Sequence, residues 1–389
     1  MISAWFRSYT TAAVTSLAVK RHLPSGVSRP VPSAGRQSQG SGARLHVPLR
    51  VISKGAWGRS PAPAPARPRA GAPMSVRARA ADRAASGKPI CIFDLDHTLV
   101  HTVVPKSEEE RADLRRSSAS DVIEVASAES GHYRTFFTKL RPGARELLQF
   151  ASTTYEVWLF SNGRRDYVEA VLQGVVDPTG RVFGGRVIAQ GDDLPKPKRL
   201  NDHLGLRGMQ QLAVVVDDIA DVWTADDAGN VLCVEPYSFF PNGRFPSLME
   251  RGTDEDSSAG MLAVVRRILG DVIASFEDAR RRDIVGEWDV RLAMDALRAR
   301  VLAGVHIVFS FFSNFNTRDA TLGWHAATKF GAVCSFIVDE DKTTHVVSHD
   351  LGTAEVAWAR ARGVSVVTLE WIKCSVTLWR PADEGRFLL

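Results

Sequence analysis

From Lys88 onward, short continuous apolar runs alternate with stretches of helical periodicity. The runs are Ile90–Phe93, Tyr155–Phe160, Val187–Ala189, Leu212–Val216 and Val231–Val234, with helical patterns at Gly143–Ala151 and Arg165–Val175. Strands without polar alternation are buried on both faces, which occurs in parallel sheets that helices cover on both sides. The sequence therefore predicts an α/β fold built on a parallel sheet.

Charge is unevenly distributed along the 389 residues. The first 81 residues hold 13 of the 49 Lys and Arg and no acid, so the rest holds 36 basic and 44 acidic residues. A mildly acidic body lacks the positive surface that direct nucleic-acid binding requires, and no nucleic-acid partner is expected. No run reaches the ~18 apolar residues that cross a bilayer, so no membrane partner is expected either.

Residues 1–86 form a leader rich in Arg, Ser, Ala, Pro and Gly. Such a composition cannot bury enough apolar surface to offset chain entropy, so the leader is predicted to be disordered. Its first 23 residues are basic, hydroxyl-rich and acid-free, as organellar transit peptides are, which makes an organelle the alternative location. A low-complexity extension, or a true start at Met74, explains the same composition.

The four cysteines lie far apart, without a Cys-x-x-Cys pair, so neither a disulfide scaffold nor a structural zinc site is expected. Cys374 and Arg380 have the Cys-x5-Arg spacing of thiolate phosphatases. No glycine lies between them, and an amide-lined phosphate cradle is therefore not expected. Cys374 is predicted to be a core residue of a buried helix.

Two carboxylates follow the first apolar run. Ile90–Phe93 continues directly into Asp94 and Asp96, and residues two apart in an extended segment point the same way. At the carboxyl end of a parallel strand, that direction faces the ligand crevice. Because adjacent carboxylates repel, a proton, a lysine or a divalent cation such as Mg²⁺ must neutralise them. A solvated acidic loop after a strand would have the same sequence.

Complementary groups follow or precede the other strands. Asp217 and Asp218 end the run Leu212–Val216, Ser161 follows Tyr155–Phe160, and Lys198 lies in the segment before Asp217. A hydroxyl donor, an ammonium group and paired acids at neighbouring strand ends are what phosphoryl transfer requires. The sequence thus predicts a phosphoryl-transfer site at this edge of the sheet.

Five segments between about Ile90 and Tyr237 carry a family resemblance: FDLDHTLVHT, FFTKLRPGARELL, LFSNGRRDYVEAVL, VVVDDIADVW and VEPYSFF. Together they resemble the haloacid dehalogenase superfamily, in particular the RNA polymerase II C-terminal-domain phosphatases of the TFIIF-associating type. The resemblance implies a haloacid-dehalogenase-like Rossmannoid parallel sheet. It also implies a Mg²⁺-dependent protein serine phosphatase that acts, through an aspartyl-phosphate, on the phosphorylated heptad repeats of RNA polymerase II.

The resemblance assigns a role to each carboxylate. Asp94 would be the nucleophile, and Asp96 would protonate the leaving seryl oxygen and then activate water. Asp218 would bind Mg²⁺ together with the Asp94 carboxylate and the Asp96 backbone carbonyl. Asp217 would be its neighbour, hydrogen-bonded to the ligands or to Lys198.

The remaining site residues follow from the same resemblance. Ser161 and Lys198 would hold the phosphoryl group, and Thr98 would support the Asp94 loop. Lys196 is a rival for the lysine position, being only two residues away, although the leucines that follow Lys198 fit the family better.

A separate module is predicted over 301–389. Its elements are predicted as strand Val305–Phe309, helix Ala320–Phe330, strand Val333–Val338, strand Thr344–Val347, helix Thr353–Arg362, strand Val364–Thr368 and helix Glu370–Leu378. The segments LAGVHIVFS, TTHVVSHD and GVSVVTLEWIKCS resemble a BRCT domain, a small α/β fold, with Trp371 as a core residue.

Phosphopeptide-binding BRCT domains resemble one another in a Ser-Gly pair and a Lys. Here Ser310 matches the Ser, but Phe311 replaces the Gly and Glu355 replaces the Lys, and a carboxylate repels phosphate. Independent phosphopeptide binding at that position is therefore not expected. The module is expected to pack on the preceding helices and to wall a groove that leads a peptide to Asp94.

The predicted organisation is a leader at 1–86, a phosphatase domain at 87–245, a helical connector at 246–300 and the BRCT-like module at 301–389. The resemblance implies the nucleus as location, the phosphorylated polymerase tail as substrate and general transcription factors as further partners. The acidic tail that longer members use to contact TFIIF does not follow Leu389, so that contact is not expected. The alternatives are a phosphatase-like scaffold of an organellar translocase and a phosphatase of nucleic-acid ends.

Overall fold

The computed structural model describes residues 88–116, 122–129, 132–190, 197–203, 205–240, 250–251, 254–282, 289–310 and 317–389. The first part of the chain contains β1 (Ile90–Phe93), β2 (Val100–Val103), α1 (Glu108–Arg116), β3 (Val122–Glu129), β4 (His132–Leu140), α2 (Ala144–Thr154), β5 (Glu156–Arg164), α3 (Arg165–Val171), β6 (Val187–Gln190), β7 (Ala213–Asp217) and β8 (Val231–Cys233). The second part contains β9 (Glu250–Arg251), β10 (Asp254–Glu255), α4 (Met261–Arg281), α5 (Val290–Val301), β11 (His306–Phe309), α6 (Thr317–Lys329), β12 (Val333–Ser335), β13 (His345–Val347), α7 (Ala354–Arg362), β14 (Ser365–Val367) and α8 (Leu369–Leu378). The predicted leader lies outside the described residues.

A five-stranded parallel sheet with the order β6–β5–β1–β7–β8 forms the centre of the amino-terminal half of the described residues. Every residue of β1 and β7 is buried, as expected for strands covered on both faces. Helix α2 buries Leu147 and Leu148, and helix α4 buries an apolar stripe that includes Val265 and Leu269. The prediction of an α/β fold with a parallel sheet is confirmed.

The charged segment after β2 contributes a strand to a second sheet. Helix α1 has acidic residues in its first turn and basic residues in its last turn, and it buries no side chain. Strand β3 then pairs with β4, and β4 pairs with β2, which gives a three-stranded antiparallel sheet in the order β2–β4–β3. This sheet stands beside the loop that follows β1.

Helices α4 and α5 pack directly on the five-stranded sheet. The Tyr155 hydroxyl, at the start of β5, donates a hydrogen bond of 2.6 Å to the Leu269 carbonyl of α4. Arg298 of α5 is 1% exposed and donates at 3.0 Å to the Val231 carbonyl of β8. Its guanidinium lies 5.0 Å from the Trp379 ring centroid, so one side chain links the sheet to the carboxyl-terminal module.

The carboxyl-terminal module is a four-stranded parallel sheet with the order β12–β11–β13–β14 and three helices, α6, α7 and α8. The type and order of its elements agree with the sequence prediction. Strand β12 ends at Ser335 rather than at Val338, because the Ser335 hydroxyl accepts a hydrogen bond from the Ile337 amide and closes a turn there. Trp371 and Cys374 are buried, as predicted for core residues.

Ser310, at the end of β11, is already engaged within the module. Its hydroxyl lies 2.8 Å from Glu355 Oε2 and 2.7 Å from the Thr353 hydroxyl. A carboxylate and a second hydroxyl group therefore lie directly beside the Ser310 hydroxyl. Phe311 lies outside the described residues.

One apolar core continues through the two halves, from Ile90 of β1 to Trp379 and Ala382 after α8. Among the described residues, no helix combines the length and the apolar character that crossing a bilayer requires.

Candidate active site

The loop after β1 is a tight turn that places carboxylates at the edge of the sheet. The Asp94 amide donates to the Val216 carbonyl at 2.9 Å, which ties the loop to the neighbouring strand. The amides of Leu99 and Val100 both donate to the Leu95 carbonyl, and His97 takes a positive φ of 62° to close the turn. The turn is therefore fixed by its own backbone hydrogen bonds.

Acidic groups from two strand ends meet at this edge. Carboxylate oxygens of Asp94, Asp217 and Asp218 lie within 4.8 Å of one another. They line a cavity of about 160 Å³ together with the side chains or backbone of Asp96, His97, Ser161, Asn162, Gly163, Lys198, Ile219 and Val222. Six of the seven predicted site residues thus share one cavity, and Thr98 lies behind it.

Lys198 is the buried cation of the site. Its ammonium group donates to Asp94 Oδ1 at 2.6 Å, to Asp217 Oδ2 at 2.9 Å and to the Phe160 carbonyl at 3.1 Å. Burial alone would lower the pKa of Lys198, but Asp94 and Asp217 outweigh it and raise the pKa above its usual value. Lys198 is therefore protonated at neutral pH. The rival Lys196 lies outside the described residues.

Asp217 is fully occupied by protein donors. Its Oδ2 accepts from Lys198 and, at 2.8 Å, from Trp223 Nε1, and its Oδ1 accepts from the Ile219 amide at 2.9 Å. A carboxylate with both oxygens engaged holds its partners in place. Asp217 therefore fixes the Lys198 ammonium group beside Asp94.

The negative charge of the other two acids, Asp94 and Asp218, is compensated only in part by Lys198. Burial raises the pKa of Asp94 well above its usual value, and the neighbouring Asp217 and Asp218 add to this. Burial, with repulsion from Asp217, raises the pKa of Asp218 to about 7. One ammonium group does not offset three desolvated carboxylates. Because Mg²⁺ prefers oxygen ligands of this kind, the residues fit a divalent cation.

Tyr167 is a site residue that the sequence analysis missed. Its hydroxyl donates to Asp96 Oδ1, and its ring packs 4.9 Å from the Phe136 ring of β4. A Cβ at Gly163 would lie 3.0 Å from the Tyr167 ring and 3.1 Å from Ser161 Oγ, so a side chain there would displace both. The motif LFSNGRRDYVEAVL contains both the glycine and the tyrosine and is the signal that could have found them.

The two predicted hydroxyl groups have different positions. Ser161 lines the cavity, and its Oγ accepts a hydrogen bond of 2.9 Å from the Gly163 amide, which leaves the hydroxyl hydrogen available for an oxygen in the cavity. Thr98 is fully buried, and its Oγ1 accepts from the Asp218 amide at 3.1 Å. Thr98 thus joins the β1 loop to the Asp218 backbone.

A buried ion pair supports the catalytic loop from behind, and it too was missed. Arg141 donates to the carbonyls of His97 and Thr98 at 3.4 and 3.3 Å, and binds both oxygens of Glu255 at 2.7 and 3.2 Å. The Glu255 carboxylate also accepts from the Met261 amide at the start of α4. The position of the loop therefore depends on the segment that precedes α4.

The sequence matches a family model, that of NLI interacting factor-like phosphatases, over residues 89–250. RNA polymerase II C-terminal domain phosphatase-like 4 of Arabidopsis thaliana is 31% identical over 309 residues, which cover 76% of this chain and 69% of that protein. Phosphatase-like 3 of the same plant is 34% identical over 332 residues, which cover 78% of this chain. The matched part of this chain spans about a quarter of phosphatase-like 3 and about two thirds of phosphatase-like 4.

The fold is also similar to that of a solved relative. The structure of Fcp1, an essential RNA polymerase II CTD phosphatase, aligns with a TM-score of 0.61 and 23% identity. The alignment covers 80% of this chain and 98% of the solved one, so the resemblance extends over the catalytic half, the helices and the carboxyl-terminal module.

Proposed function

Because the chain belongs to the NLI interacting factor-like phosphatase family, we propose that it is a Mg²⁺-dependent protein serine phosphatase. The observation that carries the proposal is the buried contact of Lys198 with both Asp94 and Asp217 beside Asp218, in a single cavity. The two plant relatives named above carry the name RNA polymerase II C-terminal domain phosphatase-like. Its substrate is accordingly the phosphorylated heptad repeats of that domain.

The reaction begins at Asp94. Its carboxylate attacks phosphorus in line with the seryl oxygen, a bond from Asp94 to phosphorus forms, and the bond from phosphorus to the seryl oxygen breaks. Lys198 and the Ser161 hydroxyl bind the phosphoryl oxygens. Mg²⁺, when bound by the Asp94 and Asp218 carboxylates and the Asp96 carbonyl, would offset further negative charge on the phosphoryl group.

Asp96 handles the protons of both half-reactions. Burial raises its pKa, which favours the protonated form that donates to the leaving seryl oxygen. In the second half-reaction, the resulting carboxylate accepts a proton from water, which attacks the aspartyl-phosphate and releases phosphate. Tyr167 holds one Asp96 oxygen, so the other oxygen remains for the leaving group and for water.

The nucleophile can be tested directly with a phosphoserine heptad peptide, Mg²⁺ and the full chain. We expect Asp94→Asn to lower turnover by at least about a thousandfold, since covalent catalysis is lost. Asp202→Asn, an exposed aspartate outside the cavity, is the matched control and should retain full turnover. Equal turnover by the wild type and Asp94→Asn would refute the assignment.

An inhibitor test separates this chemistry from thiol chemistry. Fluoroberyllate mimics an aspartyl-phosphate and should inhibit the enzyme, whereas alkylation of Cys374 should leave turnover unchanged. Inhibition by the alkylating agent alone would instead favour a thiolate nucleophile.

The proposed substrate places the protein in the nucleus, with general transcription factors as further partners. Fractionation of tagged full-length protein tests this location against the organelle that the basic leader suggests. A nicked duplex with a 3′-phosphoryl end tests the nucleic-acid alternative, and we expect no release of phosphate from it.

A further inference from the structure

A second polar cavity lies in the carboxyl-terminal module, between the end of α8 and the last helical turn, Glu384–Arg386. It has a volume of about 410 Å³, and Arg380 and Arg386 line it together with Cys374 and Asp383. It shares no lining residue with the active-site cavity. Cys374 and Arg380, the two residues of the Cys-x5-Arg spacing, therefore line one cavity that is separate from the active site.

The walls of this cavity are held in place by hydrogen bonds. The Ser375 hydroxyl accepts from the Ala382 amide at 3.0 Å, and the Ser375 carbonyl accepts from the Arg380 amide at 3.2 Å. Trp371 Nε1 donates to the Ala382 carbonyl at 3.1 Å. The backbone that carries Arg380 is thus preformed, which lowers the entropic cost of binding a ligand.

The cavity carries excess positive charge. Among the described residues, neither Arg380 nor Arg386 forms an ion pair with a carboxylate, and Arg386 only packs against the Phe387 ring at 5.7 Å. The one acid of the lining, Asp383, accepts a hydrogen bond of 3.1 Å from the Gly385 amide and so caps its own helical turn. The lining therefore contains two arginines and one carboxylate, which already accepts a hydrogen bond.

The positive charge of the cavity also affects the buried thiol of Cys374. Burial raises the pKa of Cys374, and Arg386 is the charged group that opposes this most strongly, followed by Glu235 acting in the other direction. Lys373 and Arg380 also favour the thiolate. Lys373 in turn pairs with Glu235 at 3.4 Å, which joins α8 to the catalytic half.

We propose that this cavity binds the phosphoryl group of a phosphoserine peptide. Two arginines provide planar donor forks that match the oxygens of a phosphate dianion, and such charge-assisted pairs are among the stronger hydrogen bonds. The site differs from the Ser310 position, where Glu355 excludes an anion.

The identity of the peptide rests on the proposed function. A heptad-repeat substrate carries several phosphoserines on one flexible chain, so a phosphoserine held at Arg380 and Arg386 raises the local concentration of its neighbours at Asp94. The cavity thereby acts as a retention site for partly dephosphorylated substrate.

Calorimetric titration of the full chain tests the cavity by itself. The protein is first saturated with Mg²⁺ and fluoroberyllate, which occupies the catalytic phosphoryl position, and a singly phosphorylated heptad peptide is then titrated. We expect one binding event that Arg380→Gln/Arg386→Gln weakens by about ten- to a hundredfold, because two charge-assisted contacts are lost. Arg380→Lys/Arg386→Lys keeps the positive charge but removes the planar guanidinium donors, and it should show an intermediate affinity.

Matched controls decide the interpretation. Arg300→Gln/Arg360→Gln removes the same charge from other exposed positions of the chain and should leave the affinity unchanged. Equal affinity of the wild type and the cavity variant, equal loss in the control variant, or no binding at all would overturn the site. Inorganic phosphate that binds as tightly as the peptide would overturn the assignment to a peptide.

Turnover of the same preparations before fluoroberyllate is added keeps the two proposals apart. The cavity variants should hydrolyse p-nitrophenyl phosphate at the wild-type rate, which also shows that they are folded. A wild type without phosphatase activity would defeat the proposed function, while the titration would still report on the arginine cavity.

Discussion

Replacing Glu255 by Gln should destabilise the protein far more than a single surface change does. The side chains of Arg141 and Glu255 are 0% and 2% exposed, and their shorter contact is 2.7 Å. Breaking such a buried pair costs about 3–5 kcal/mol, because the remaining charge stays buried without a partner. Glutamine keeps one acceptor oxygen for Arg141 but turns an NH₂ group toward a donor, so we expect about 3 kcal/mol, the lower end of that range.

Thermal and urea unfolding of the full chain measure this loss. A loss of about 3 kcal/mol lowers the melting temperature by roughly 4–5 °C in a protein of this size. Glu277→Gln is the matched control, since Glu277 pairs with Arg280 at 3.4 Å on the exposed side of α4, and it should change stability by less than about 0.5 kcal/mol. Turnover by Glu255→Gln at a temperature where it is folded should also fall, because Arg141 holds the carbonyls of the catalytic loop.

A double variant completes the test. Arg141→Met/Glu255→Met removes both charges and should be less destabilising than either single substitution, since no unpaired charge remains buried. If Glu255→Gln melted within about 1 °C of the Glu277→Gln control, a difference worth only about 0.7 kcal/mol, Arg141 would not depend on Glu255 and the reasoning would be wrong.

Three further predictions follow from the cavity residues. Tyr167→Phe should lower kcat on a phosphoserine peptide more than on p-nitrophenyl phosphate, whose good leaving group needs little help from Asp96; an equal loss on both would show a purely structural role. Lys198→Met should abolish turnover whereas Lys196→Met should retain it, and initial rates with a phosphopeptide distinguish the two lysines. Burial raises the pKa of Cys374, so its thiolate forms only at a higher pH than usual, and alkylation followed by mass spectrometry should be slow at pH 7 and accelerate only in strongly alkaline buffer.

The parallel sheet and its acidic edge could be predicted because their signals are local. Continuous apolar runs such as Ile90–Phe93 reveal buried strands, and the residues that follow such strands must meet at one edge of the sheet. Asp94, Asp217 and Ser161 were identified in this way. The combination of acids, a hydroxyl group and an ammonium group indicates phosphoryl transfer, but the role of each residue needed the family resemblance.

Contacts between distant parts of the chain could not be predicted. Arg141 and Glu255 are 114 residues apart, and nothing in either local sequence names the other as a partner. Strand β3, VIEVASAE, mixes small, charged and apolar residues, and its pairing with β4 becomes visible only in the three-dimensional structure. Tyr167 has the apolar spacing of any helix residue until its hydroxyl is placed beside Asp96.

Arg298 holds the five-stranded sheet and the carboxyl-terminal module together. Pulling the carboxyl-terminal module away would separate this guanidinium, which is bound to the Val231 carbonyl, from the Trp379 ring, and would open the apolar core that the two halves share. A hinge at this junction would therefore be costly to open. A truncated protein that ends near residue 250, where the family match ends, would lose α4, α5 and the module that pack on the sheet, and it should be insoluble. A protein that runs from residue 88 through the last helical turn keeps these contacts and should yield a crystallisable enzyme.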